Sequence, residues 1–256
     1  MNFIYLLFIY FFIYSILGWV AEEIYSRLNS GKWTNRGFLY GPYCPIYGFG
    51  GIMIVFFLQP FNNNPIIVFL LGCLLTTLLE YFTSYIMEKL FDAKWWDYSH
   101  MPFNVKGRIC LLNSILFGIL GLFITYLIHP NVEKIIKNIP TTYLEYIFLG
   151  ILLLLTIDFT STLNNLLNLK SKLKYLHEIK NKIQQKTNST IQNNELINQL
   201  EEIKLDFINK KDILKNRFFV AFPNMEMPKF KETLEELRLA IHEYRRKNKN
   251  KKKIKK

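Results

Sequence analysis

At 256 residues, half of them hydrophobic and including 22 Phe and 15 Tyr, the chain has the size of one globular domain or of a small membrane bundle. The distribution of charge excludes the first: nine basic and nine acidic side chains precede Asn164, whereas the rest carries 23 basic and 11 acidic ones, so the net charge of +12 belongs wholly to the tail. An apolar body with a basic appendage points to membrane lipid, with anionic headgroups near the tail; nucleic acid is not expected, because no recognisable module accompanies the charge.

Phe3–Ala21 runs without a charge for 19 residues, close to the roughly 20 that cross a hydrocarbon core. It lacks a basic n-region and is followed by Glu22 and Glu23, so it reads as a span and not as a signal peptide. Cys44–Phe61 is the second expected span, weakened by Gly48, Gly50 and Gly51 and shortened by Pro60, features that also suit a re-entrant element. Pro65–Met87 is the third and carries Glu80 well inside; Ile109–Ile128 is the fourth; Tyr143 to about Leu163 is the fifth, with Asp158 in its last third.

The fold class expected is therefore an all-α membrane protein: a transmembrane bundle of about five helices over residues 1–163, followed by a cytoplasmic helical or coiled-coil tail. Arg27, Lys32, Arg36, Lys89, Lys94, Lys106 and Arg108 lie between spans one and two and between spans three and four, while the opposite connections carry only Lys134 and Lys137. By the positive-inside rule the amino terminus is expected outside, with the tail and both longer loops, residues 22–43 and 88–108, cytoplasmic in a multi-pass cell-membrane protein.

Beyond Leu163 the pattern becomes periodic. Leu166, Leu169, Leu173, Leu176 and Ile183 follow a 3-4 spacing, as do Leu196, Leu200, Ile203, Phe207 and Leu214 after a polar break at Thr187–Asn194, which predicts a helical hairpin or coiled coil over 164–216. Residues 217–256 read as a short helix, roughly Lys229–Arg246, and a disordered end whose last 12 residues hold nine Lys or Arg.

The polar candidates gather in the two loops and two spans. The first loop runs through Glu23, Lys32-Trp33, Asn35-Arg36-Gly37 and Cys44, the second through Glu88, Lys94-Trp95-Trp96-Asp97-Tyr98, Asn104, Arg108 and Cys110, an order of acid, Lys-Trp, Asn, Arg, Cys that suits a parallel repeat. Glu80 is costly at its depth, so it faces the bundle interior, is protonated or pairs with a cation; a structural carboxyl that holds helices together is the plainer alternative. For Asp158, nearer the interface, the plain reading is the stronger one. Trp33, Tyr40, Tyr43, Tyr47, Trp95, Trp96 and Tyr98 read first as an interfacial aromatic belt, and secondly, with Arg36, Arg108, Asn35, Asn104 and Asp97, as a site for a polar or phosphate-bearing headgroup.

Three cysteines, Cys44, Cys73 and Cys110, imply neither a disulfide framework nor a metal site. No nucleophile with its base stands at known spacing, so no catalytic residue is assigned and no cofactor expected. The absence of G-x-x-x-x-G-K-[ST] means that ATP-driven work requires a separate P-loop ATPase subunit.

Gly18-Trp19 with Glu22 and Tyr25, Asn35-Arg36-Gly37-Phe38-Leu39-Tyr40-Gly41-Pro42, Cys44-Pro45-Ile46-Tyr47-Gly48, Leu79-Glu80-Tyr81, Glu88, Trp95-Trp96-Asp97-Tyr98, Phe103-Asn104 and Gly107-Arg108-Ile109-Cys110-Leu111 together resemble the bacterial membrane family of ABC-transporter type IV, or CmpB-like, permeases. Arg217-Phe218-Phe219-Val220-Ala221-Phe222-Pro223 also resembles that family. The resemblance implies a Gram-positive-type cytoplasmic membrane protein with Glu80 and Trp95-Trp96-Asp97-Tyr98 as motif positions. Three functions stay open: a permease-like subunit lacking its own ATPase; a membrane enzyme or headgroup-binding protein with a cytoplasmic-side site; and a membrane-anchored scaffold acting through its tail. A homo-oligomer is compatible with each.

Overall fold

The structure is a computed structural model that describes residues 3–31, 33–185, 197–198, 201–202, 217–222 and 224–240. Its helices are α1 (Phe3–Ser30), α2 (Pro45–Leu58, followed by a 3-10 turn Gln59–Phe61), α3 (Pro65–Phe91), α4 (Leu111–Phe123), α5 (His129–Lys137) and α6 (Thr141–Gln185), with a π-helical turn Ile124–Ile128 joining α4 to α5. Local chemistry sets several ends. Proline opens α2 and α3, where its missing N–H costs nothing, and the Asn64 side chain caps α3 by accepting from the N–H groups of Ile66 and Ile67 at 3.1 and 3.2 Å.

Four helices are long and apolar enough to cross a membrane: Phe3–Leu28, Pro65–Phe91, Leu111–Lys137 and Thr141–Lys182. The chain is a multi-pass, all-α membrane protein. The expected second span is a shorter apolar helix, Pro45–Phe61; its 14 α-helical residues rise only about 21 Å against a core of about 30 Å.

Two compact units result, Met1–Met87 with Trp96–Thr162, and Glu88–Trp95 with Leu163–Lys256. In the first, Ile9, Tyr10, Tyr14, Ile54, Leu58, Val68, Ile124, Ile136 and Leu144 form one buried cluster. Antiparallel α1 and α2 approach closely at Gly48, where a Cβ would lie 2.6 Å from the Phe11 carbonyl oxygen. Small residues at such crossings let membrane helices gain dispersion contacts that lipid would otherwise supply. The long apolar side chains left outward, Leu153 and Ile157 of α6 among them, suit contact with lipid.

The second unit combines Glu88–Trp95 with the far half of α6 and the chain after residue 216. Leu166, Leu169, Leu173 and Leu176, the expected periodic positions, are buried on α6, joined by Ile179. The second limb of the expected hairpin and the basic end lie outside the described residues. Residues 217–222 and 224–240 pack around buried Phe218, Met225, Met227, Leu234 and Leu237, and residues 231–240 are helical, within the range expected for the final helix. Lys94 and Glu226 exchange backbone hydrogen bonds of 2.7 and 2.8 Å, and Lys180 pairs with Glu232 and Glu236 at 3.0 and 2.8 Å.

Asp92, at φ +53°, accepts from Lys170 and from Lys229, each at 2.6 Å. Those two hydrogen bonds hold its carboxyl below the usual carboxylate range. A depressed folded-state value means that this contribution is present above the unfolded value and lost as pH falls through the folded one. Acidification below about pH 4 is therefore expected to weaken this unit by an amount typical of exposed pairs, about 0.2–1 kcal/mol each. Unfolding followed by tryptophan fluorescence against pH checks it: Asp92→Asn, which keeps the left-handed backbone, should flatten that part of the profile.

Candidate functional site

The polar residues of the first unit sit where two irregular loops run alongside helices instead of beyond their ends. In the first loop the Cys44 N–H donates to the Ser15 carbonyl at 2.8 Å, and Ser15 lies about 10 Å along α1 from Glu22. The stretch before α2 thus occupies the half of α1 that α2 leaves unaccompanied, and Gly37, Leu39, Tyr43 and Cys44 are buried there. Backbone in such a place needs partners for its N–H groups.

Asp158 supplies them. Its Oδ1 accepts from the Tyr40 N–H at 2.9 Å and its Oδ2 from the Gly41 N–H at 2.7 Å; the Tyr43 and Thr162 hydroxyls donate to the same carboxylate. The loop solves the problem of a carboxylate within an apolar helix, and the carboxylate solves the problem of a bare loop. Asn35 organises the remainder: its Oδ1 accepts from Trp19 Nε1 at 3.0 Å and from the Gly37 N–H at 2.9 Å, and its Nδ2 donates to the Tyr40 carbonyl at 3.0 Å. Arg36 lies over the ring of Tyr25 at 5.9 Å.

The second loop is built alike. Asn104 donates through Nδ2 to the Ser99 and Met101 carbonyls at 3.1 and 2.8 Å and accepts from the Gly107 N–H at 3.1 Å. Gly107 has φ +68°, and a Cβ there would lie 2.2 Å from Asp97 Oδ1. That oxygen accepts from the Ser99 N–H at 3.1 Å and from the Ser99 hydroxyl. Trp96 Nε1 donates to the Arg108 carbonyl at 2.9 Å. Arg108 Nη1 donates to Ser84 Oγ at 3.3 Å beneath the rings of Tyr81 and Tyr85.

Between the loops stand two carboxyl groups. Tyr47 donates to Glu22 Oε1 at 2.7 Å. Tyr98 donates to Glu80 Oε1 at 3.2 Å, and Asn113 stands close beside the same carboxyl. Glu80 is 5% exposed, and its Oε2 is buried with no hydrogen-bond partner. Tyr98 lies within electrostatic reach of both Glu80 and Glu22, and the two carboxyls act on each other. Thr77 donates to Ser114 at 2.7 Å on the same pair of helices.

A family model described as "Putative ABC-transporter type IV" matches residues 9–163. The chain belongs to that family. It is thus a membrane protein of a transporter-related family, and the matched region takes in both loops, Glu22, Glu80 and Asp158. No curated protein and no solved structure matches the chain.

Of the candidate residues, Glu22, Asn35, Arg36, Glu80, Asp97, Asn104, Arg108 and Asp158 all fall in the first unit, whereas Glu88 and Trp95 fall in the second. Trp95 is 4% exposed and meets Phe222 and Phe218 edge-on at 4.8 and 5.9 Å, so three aromatic rings pack together there. Asn35, Asn104 and Asp97, expected among the donors and acceptors for a headgroup, are engaged in holding their own loops. Sequence reasoning missed Asn113, although it stands three residues beyond Cys110 as Tyr47 stands three beyond Cys44. Among the described residues no group of three or more His, Cys, Asp and Glu gathers as it would to hold a metal ion.

Proposed function

We propose that this chain is the permease-like membrane subunit of a transporter, lacking an ATPase of its own and working with a separate P-loop ATPase. The observation that carries the reading is Glu80: a carboxyl 5% exposed, inside an apolar helix of a transporter-related family, facing other polar side chains and not lipid. Intramembrane carboxyls so placed mark ion or substrate paths. The excess of Lys and Arg in the two loops and the tail supports an outside amino terminus and a cytoplasmic tail, and the described part of the second unit offers a surface to an ATPase.

Two experiments test this. Affinity purification from native membranes in mild detergent, with proteins and lipids identified by mass spectrometry, should return a near-stoichiometric P-loop ATPase; a retained specific lipid without any ATPase overturns the reading in favour of a headgroup site. Glu80→Gln and Glu80→Ala, at normal expression, should lower the transport-linked phenotype at least about tenfold, the loss expected when a residue of the path is removed. An unchanged phenotype in both removes Glu80 from the path.

A further inference from the structure

The two halves of the first unit repeat one construction. Glu22 and Ser26 stand one turn apart on α1, Glu80 and Ser84 one turn apart on α3, and both serines are buried. Each pair is followed by a loop pinned by an asparagine that accepts from a glycine N–H, Asn35 from Gly37 and Asn104 from Gly107. Each loop places an arginine over tyrosine rings of the preceding helix, Arg36 over Tyr25 and Arg108 over Tyr81 and Tyr85. Each ends on a buried cysteine immediately before the next helix, Cys44 or Cys110. Three residues later stands a polar side chain of the next helix: Tyr47, which donates to Glu22, and Asn113, which stands beside Glu80. These shared features, in the same order along the chain though not at the same spacings, give α1–α2 and α3–α4 one helix–loop–helix plan.

What the copies enclose differs from what composition alone requires. Tyr98, Asn113 and Glu22 stand about Glu80, each offering oxygen. The Arg108 guanidinium lies against Ser84 and the faces of Tyr81 and Tyr85. Glu80 Oε2, in a side chain more than nine-tenths buried, is left with no hydrogen-bond partner. An orphaned carboxyl oxygen at that depth is satisfied either by a proton or by a cation. A set of carboxylate, phenol and amide oxygens, with no imidazole or thiolate, selects a hard cation over a transition metal.

We propose that Glu22 and Glu80, with Tyr98 and Asn113, form a binding site for one small hard cation, alkali or alkaline-earth, held between the two repeats. The site rests on the permease reading only for its use in transport; binding itself is independent of any ATPase. Glu80 is the direct ligand through Oε2, Glu22 supplies the second negative charge, and Tyr98 ties the second loop to the cation through Glu80, so that loading and loop position are coupled.

The test uses the full chain purified in detergent. Thermal unfolding is followed in N-methylglucamine chloride while NaCl or CaCl2 replaces it at constant ionic strength. One of the two cations should raise the unfolding temperature saturably, by about 4 °C or more near saturation, and which one does so tells alkali from alkaline-earth. Glu80→Gln should raise the half-saturating concentration at least tenfold, and Tyr98→Phe should raise it severalfold, whereas Glu145→Gln, on an exposed position of α6, should leave it unchanged. If Glu80→Gln does not yield folded protein, Tyr98→Phe alone decides. A response that is absent, that is equal in the variants, or that follows pH and not the cation overturns the site. Cation binding without a co-purifying ATPase overturns the permease reading and leaves the site standing.

Discussion

Replacing Asp158 by Ala is expected to destabilise the membrane unit by about 3 kcal/mol or more, because it removes the acceptors of two backbone N–H groups and two hydroxyls at once. Each buried donor left unsatisfied costs about 1–3 kcal/mol, and lipid supplies no substitute acceptor. The loss is local before it is global. With the Tyr40 and Gly41 N–H groups released, the first loop loses its tie to α6 at Asp158, while Asn35 and the Cys44–Ser15 contact hold it elsewhere. Buried Cys44 should therefore become at least tenfold more reactive to a thiol reagent in Asp158→Ala. Asp158→Asn keeps one carbonyl oxygen and should fall between. If unfolding in detergent and Cys44 alkylation are unchanged in Asp158→Ala, the loop is held by something else.

Gly48→Ala is expected to separate α1 from α2. A Cβ at this position would lie 2.3 Å from Ser15 Oγ and 2.6 Å from the Phe11 carbonyl oxygen, contacts that real Cβ atoms do not make. The serine can be cut back; the carbonyl cannot move without the helix. Overpacking of this kind costs about 1–3 kcal/mol, and here the backbone clash puts it at the upper end. The double variant with Ser15→Ala should recover less than half of that loss, because the clash with Phe11 remains. Gly50→Ala, where the nearest atom is Leu79 Cδ2 at 3.5 Å, should be near neutral and serves as the control. Equal stability of Gly48→Ala and Gly50→Ala would contradict the close approach.

The carboxyl cluster was only half visible in the chain. Glu80 declared itself, since a charge inside an apolar run is rare enough to be noticed. Glu22 stands at the edge of its span and is carried by the family motif, with nothing in its spacing to say that it lies within electrostatic range of Glu80, 58 positions further along the sequence. Asn113 gave no signal beyond its distance from Cys110. The matched order of the two loops was legible, but which side chains answer one another was not: Asn35 and Asn104 are equivalent because both close a turn on a glycine N–H, and that depends on backbone direction, which composition does not encode.

The tail divides in the same way. Leu166, Leu169, Leu173 and Leu176 announced a buried helical face through their spacing, and they are buried. For Trp95 the sequence suggests an interfacial ring near a span end, but its packing against Phe218 and Phe222, more than 120 residues later, is not legible locally.

By itself, the sequence determined the solvent of each segment. Long uncharged runs can be satisfied only as helices in lipid, periodic runs only as helices with one covered face, and both signals are local. Only the tertiary structure decided how the irregular stretch before Cys44 survives at depth, that Asp158 is its hydrogen-bond partner, and that Glu22 and Glu80 share one polar interior. Those outcomes join groups distant along the chain, where the energy lies in pairing a buried donor or charge with its complement, and no local pattern records which complement the fold will bring.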